Sequence, residues 1–177
     1  MNKQNLKKLL DDFTSASAAR KPLSKKFADL QRDAIHFMQS RDSRFANAGD
    51  IFESLDLFIG GCTKRDDQAA ARRYIEALTK AKANAHEAGK IEREAKEELT
   101  AVVRELYSAK MMEILHKRRL VQDEIVTFLT PYCSSAQEAM EITQECGRLK
   151  ELEFESMKYR NIRDLESAAA EFLKLNF

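Results

Sequence analysis

The sequence predicts an all-α protein: a helical bundle dominated by a long, coiled-coil-like antiparallel helical hairpin, with short helices at the N-terminus. Three observations carry this. Only five Gly and two Pro occur in 177 residues, so helix breakers are few and the elements between them are long. Charged residues make up 33% of the chain, above the roughly one quarter typical of globular domains, and Ala, Glu, Lys, Leu and Arg lose little freedom on a helix. Apolar residues recur at steps of three and four over most of the length.

Leu6, Leu9, Leu10 and Phe13 form the apolar stripe of a first short helix. Thr14 to Lys21 is small and polar, and Pro22 is expected to end the helical run. A second helix is expected from Leu23 to Ser40, with Phe27, Leu30, Ala34, Phe37 and Met38 inward, followed by a loop over Asp42–Gly49. Asp50 then caps a short helix, with Glu53 three residues on in a capping-box pattern. Ile51, Phe52, Leu55 and Phe58, with Leu57 and Ile59, leave that helix apolar nearly all round, as expected of a core helix or a docking site. Gly60 and Gly61 close it.

From Thr63 to Pro131 there is no proline, and Tyr74, Leu78, Ala81, Ala85, Ala88, Ile91, Ala95, Leu99, Val102, Leu106 and Ala109 mark one continuous stripe. Their mean period near 3.5 suits a supercoiled seam, with Gly89 as its weak point. From Lys90 to Leu129 the helix is expected to extend roughly 60 Å. Ser135 and Glu138 form a second capping-box pattern, opening a matching helix to about Leu175 that carries Ile142, Cys146, Leu149, Leu152, Met157, Ile162, Leu165, Ala169 and Phe172. Two helices of equal length joined at Thr130-Pro131-Tyr132 are expected to pair as an antiparallel hairpin. Residues 1–62 thus form a short-helix region packing on the base, and residues 63–177 the hairpin, turning near 130–134.

Composition narrows the function. Cys62, Cys133 and Cys146 are odd in number and too widely spaced for a metal knuckle, so they read as free thiols in a reducing compartment. No apolar run approaches a membrane span, and the polar, Lys-bearing start lacks a secretory h-region. A cytoplasmic location without membrane attachment is expected. The net charge of +1 hides an asymmetry: residues 1–49 hold ten basic and five acidic side chains, while residues 132–177 hold six and nine.

Three kinds of candidate site emerge. Asp33 with His36 and Glu113 with His116 repeat a carboxylate-x-x-His spacing that di-iron bundles use to place oxygen and imidazole on one helix face. Acids are common enough here for such pairs to arise by composition, and Lys117 to Arg119 are unwelcome beside a dication, so no metal or other cofactor is expected. Lys25, Lys26, Arg72, Arg73, Lys117, Arg118 and Arg119 are the cations with which a basic face would grip phosphates, although most have acids three or four residues away. Ile51, Phe52, Leu55 and Phe58 are the candidates for docking a partner. His86 and Cys62 lack the neighbours that catalysis requires. With no catalytic constellation, the expectation is a non-enzymatic helical interaction protein, an adaptor, chaperone-like or assembly factor, that binds a protein partner or itself as a dimer. A nucleic-acid-associated regulator is the alternative, and a metal-dependent helical enzyme comes third.

Overall fold

A computed structural model describes residues 3–42, 44, 49–162 and 164–174, and among these every regular element is helical. In chain order they are α1 (Lys3–Gln39), α2 (Ile51–Gly61), α3 (Arg65–Leu129), a 3-10 turn (Thr130–Tyr132), α4 (Ala136–Gln144), α5 (Gly147–Met157) and α6 (Leu165–Lys174). No helix among the described residues is long and apolar enough to cross a membrane. The chain forms two compact units, one of residues 11–96 and one of residues 1–10 with 97–177.

The 11–96 unit is three-helical. Asp50 caps α2 by accepting from the Phe52 and Glu53 backbone N–H groups at 2.8 and 3.3 Å. That helix lays Ile51, Leu55 and Phe58 against Ala34 and Met38 of α1 and Ala71 and Leu78 of α3. The Phe37 ring joins all three, with centroids 5.5 Å from Phe58 and 5.4 Å from Tyr74. Two ion pairs, Arg41 with Asp67 and Arg20 with Glu92, show that α1 and α3 run antiparallel.

One expectation fails here. The N-terminal helices are not short, because α1 continues for 37 residues through Pro22. Proline removes one N–H, which leaves the Ala18 carbonyl without its helical donor, and both residues lie exposed on the solvent side of the helix, where that loss costs least. From the same turn Arg20 pairs with Glu92 of α3, so packing holds the helix together where local propensity would end it. Gly89, the weak point of the sequence, leaves α3 unbroken over its 65 residues. The loop expected over Asp42–Gly49 lies largely outside the described residues.

The inner line of α3 keeps a strict seven-residue spacing through Ala71, Leu78, Ala85, position 92 and Leu99. Position 92 is Glu, its side chain only 16% exposed and paired with Arg20, whereas Ile91, expected in the seam, faces outward. A polar group at one seam position fixes register, since any slip strands a covered charge. Beyond Leu99 the buried residues are Val103, Tyr107 and Ile114, not Val102, Leu106 and Ala109. Two successive steps of four, from Leu99 to Val103 and Tyr107, shift the buried line before the seven-residue spacing resumes at Ile114.

In the unit of residues 1–10 with 97–177, the chain does fold back along α3 after the 3-10 turn. Arg118 of α3 meets Glu153 of α5, and Tyr107 of α3 meets Tyr159 and Phe172. The returning limb is not the single helix expected to Leu175, a residue outside those described. It breaks at Glu145–Cys146 and again between Met157 and Leu165. The reason is phase. Thr143 and Leu149 are both buried, yet six residues on one continuous helix at about 100° each would turn them some 120° apart. Breaking at Cys146, whose backbone is extended, before the poor helix former Gly147 lets both face inward. Ser156 and Phe172 are likewise buried on separate helices, and Asp164 opens α6 by accepting from the Glu166 N–H and the Ser167 hydroxyl.

Candidate interaction surface

The phase changes that bury Thr143, Leu149 and Phe172 turn other apolar residues outward. Ile142 and Met157, expected in the core, are exposed, as are Met140 and Phe154. On α3, Met112, Leu115 and Leu120 lie exposed as well. At the tip, the Phe128 and Tyr132 rings meet at a tilt of 44° with centroids 5.8 Å apart and remain 69% and 79% exposed. Local bonds hold that tip: the Thr130 hydroxyl donates to the Val126 carbonyl at 2.7 Å, and Ser135 caps α4 by accepting from the Glu138 N–H at 3.1 Å.

The distribution of these residues is uneven. Of eleven large apolar side chains exposed among the described residues, nine belong to the unit of residues 1–10 with 97–177 and two, Leu57 and Ile91, to the other. The units are of similar size, 91 and 86 residues from their bounds, so size does not account for the difference.

Two clefts open on this unit. One, of about 480 Å³, is lined by Tyr107, Phe154, Met157, Lys158, Asp164 and Glu171, among others. Burial first, then the Glu171 carboxylate, raises the Tyr107 and Tyr159 hydroxyls above their ordinary range, so both are neutral phenols in its field. The Lys158 ammonium lies 5.9 Å from the Phe154 ring centroid. The second cleft, of about 380 Å³, runs between Leu120 and Val121 of α3 and Leu152 of α5, flanked by Glu124, Glu151 and Glu155 and by Lys117 and Arg148.

The residues singled out from the sequence fare differently. Ile51, Leu55 and Phe58 are buried and Phe52 is half-buried against the same core, so of the two roles open to α2, core helix or docking site, its packing is that of a core helix. The Asp33–His36 pair falls in one unit and Glu113–His116 in the other, all four exposed. Glu113 is held by Lys117 at 2.6 Å and Lys110 at 3.0 Å, which bring its pKa down to about 2. Among the described residues no three His, Cys, Asp or Glu side chains gather as a metal site requires.

Of the cations, Lys117 and Arg118 are engaged by Glu113 and Glu153. Lys25 and Lys26 stand level with residues near 86 of α3, by interpolation between the two ion pairs. Arg72 and Arg73 therefore lie roughly 20 Å further along, and the structure does not gather these four into one basic patch. A cleft of about 490 Å³ beside Cys62 holds Arg41, Arg44 and Lys64, but Arg41 is paired with Asp67 and Arg44 forks onto Asp42. The cysteines are free and half-buried.

Compared with known protein families, with curated proteins and with solved structures, the chain matches none.

Proposed function

We propose that the protein is a non-enzymatic helical interaction protein, working in a reducing, cytoplasmic setting, whose apolar surface on α3 to α6 docks a protein partner. The concentration of nine of the eleven exposed large apolar residues in one unit carries this reading. Aromatic and Met side chains, six of those nine, are the types enriched where proteins meet. The aromatic pair at the tip adds to it, since Phe128 and Tyr132 contribute little to the core and would be neutral to lose in a free-standing fold.

A photo-crosslinking amino acid placed in cells at Phe128, Tyr132 or Phe154 tests this, with Ser24 and Thr79, exposed on the other unit, as controls. Discrete protein adducts at the aromatic positions and none at the controls are expected. Equal ladders at every position, no adducts, or adducts that nuclease digestion removes would sink it. An adduct of twice the chain mass would identify the partner as a second copy.

A further inference from the structure

We infer that the cleft of Tyr107, Phe154 and Met157 is the anchor pocket for a basic amphipathic helix on the protein partner. The inference rests on the docking role proposed above and adds the partner's chemistry to it.

The cleft has two characters at once. Its volume of about 480 Å³ falls within the range of sites that enclose a ligand group, and Phe154, Met157, Tyr107 and Ala168 present apolar surface to it. Met suits such a role because its unbranched, polarizable side chain adapts to different shapes. The rim, however, is acidic. Asp164 and Glu171 line the cleft, against Lys158 as the single cation among its lining residues. The returning limb as a whole has the same sign: residues 136–174 hold nine acidic side chains against six basic ones, a net of −3.

A partner segment must therefore bring an apolar anchor flanked by cations, which is the pattern of a basic amphipathic helix. Nucleic acid and anionic membrane surfaces are both repelled by the same carboxylates. Lys158 caps the Phe154 ring from the exposed rim, on a flexible stem that a partner's Lys or Arg displaces while keeping the cation over the ring.

The test uses the full-length protein and three synthetic peptides: an amphipathic Leu/Lys helix, the same apolar pattern with Glu for Lys, and a scrambled Leu/Lys sequence. Binding is read by fluorescence anisotropy, and the site by ¹³C-methyl methionine NMR. The Leu/Lys helix is expected to bind and to shift the Met157 methyl signal while leaving that of Met38, buried in the other unit, unmoved. Phe154→Ser is expected to weaken it about tenfold or more, and Glu171→Gln to weaken it less, with the salt dependence reduced. Equal affinity for the Glu peptide or the scrambled one, a silent Met157 signal, or indifference to Phe154→Ser would each overturn the inference. If no peptide binds while crosslinks at Phe154 persist in cells, the basic-helix partner is wrong and the docking surface stands. If both fail, both fall.

Discussion

Replacing Phe172 by Ala probes the return of the chain onto α3 more sharply than any other single change. Phe172 lies on the short helix α6, is only 1% exposed, and packs with ring centroids 5.3 Å from Tyr107 and 6.3 Å from Tyr159. Truncating a buried Phe to Ala costs about 3–5 kcal/mol in lost transfer energy and residual cavity. Aromatic pairs add about 0.5–1.5 kcal/mol beyond area, which places this site at the upper end, about 4–5 kcal/mol. That is a large part of the roughly 5–15 kcal/mol holding a typical domain together. Phe154→Ala removes the same atoms from a ring that is 69% exposed and is expected to change stability by less than about 0.5 kcal/mol. Urea unfolding followed by circular dichroism and Tyr emission measures both, since the chain has four Tyr and no Trp, and Tyr107 and Tyr159 sit beside the deleted ring. A loss below about 1 kcal/mol for Phe172→Ala, or equal losses for the two variants, would refute the packing of α6 described above.

Three further expectations follow from the helix pair α1–α3 and its surface charges. Gly89→Ala should stabilise by about 0.5–1 kcal/mol, because the added Cβ meets only the Arg20 Nε at an ordinary 3.7 Å; a lower melting temperature would contradict an unbroken helix there. Arg20→Ala should cost up to about 1 kcal/mol, since Arg20 is half exposed and Lys96 still faces the Glu92 carboxylate, and Glu92→Leu should cost less; the reverse order would place Glu92 outside the seam. Glu92 is held below its ordinary pKa of 4.5, chiefly by the Arg20 hydrogen bond, so the Arg20 contribution is present above that value and fades as pH falls through the lowered one. Glu113 should titrate near its lowered value of about 2 by carboxyl NMR and move back up in Lys117→Ala, while an ordinary midpoint near 4.5 in the unaltered chain would mean that the Lys117 and Lys110 bonds are absent in solution.

Much of the fold was legible because some signals are local. Asp50 and Ser135 cap helices where their spacing to Glu53 and Glu138 says they should, and the turn at Thr130-Pro131-Tyr132 sits where proline puts it. The misplaced elements are those decided by packing. Pro22 penalises its own turn by roughly 3 kcal/mol, but α1 is held along its length against a partner helix that the local sequence does not reveal. In the returning limb the apolar series Ile142, Cys146, Leu149 looks continuous, yet the fold buries Thr143 and Leu149 and leaves Ile142 outside. Hydrophobicity states that a residue prefers cover, not which surface supplies it. The same ambiguity hid the exposed apolar residues: Met157 and Ile142 were expected in the core, while Ile51, Leu55 and Phe58 were left between core and docking. One missed feature did carry a signal, since the seven-residue spacing of Ala71, Leu78, Ala85 and Leu99 points to Glu92 as the seam residue rather than Ile91.

The central claim is that the apolar surface of α3 to α6 is covered by protein in the cell. Thiol labelling tests it directly. With Cys62, Cys133 and Cys146 changed to Ser, a single cysteine is placed at Asn161, on the rim of the Phe154 cleft, or at Ser24, exposed on α1. The Asn161 cysteine should react at the open-surface rate in purified protein and several-fold more slowly in cells, while the Ser24 cysteine reacts alike in both. Equal labelling of both positions in cells would mean that the cleft is bare where the protein works, contradicting its role as a docking surface.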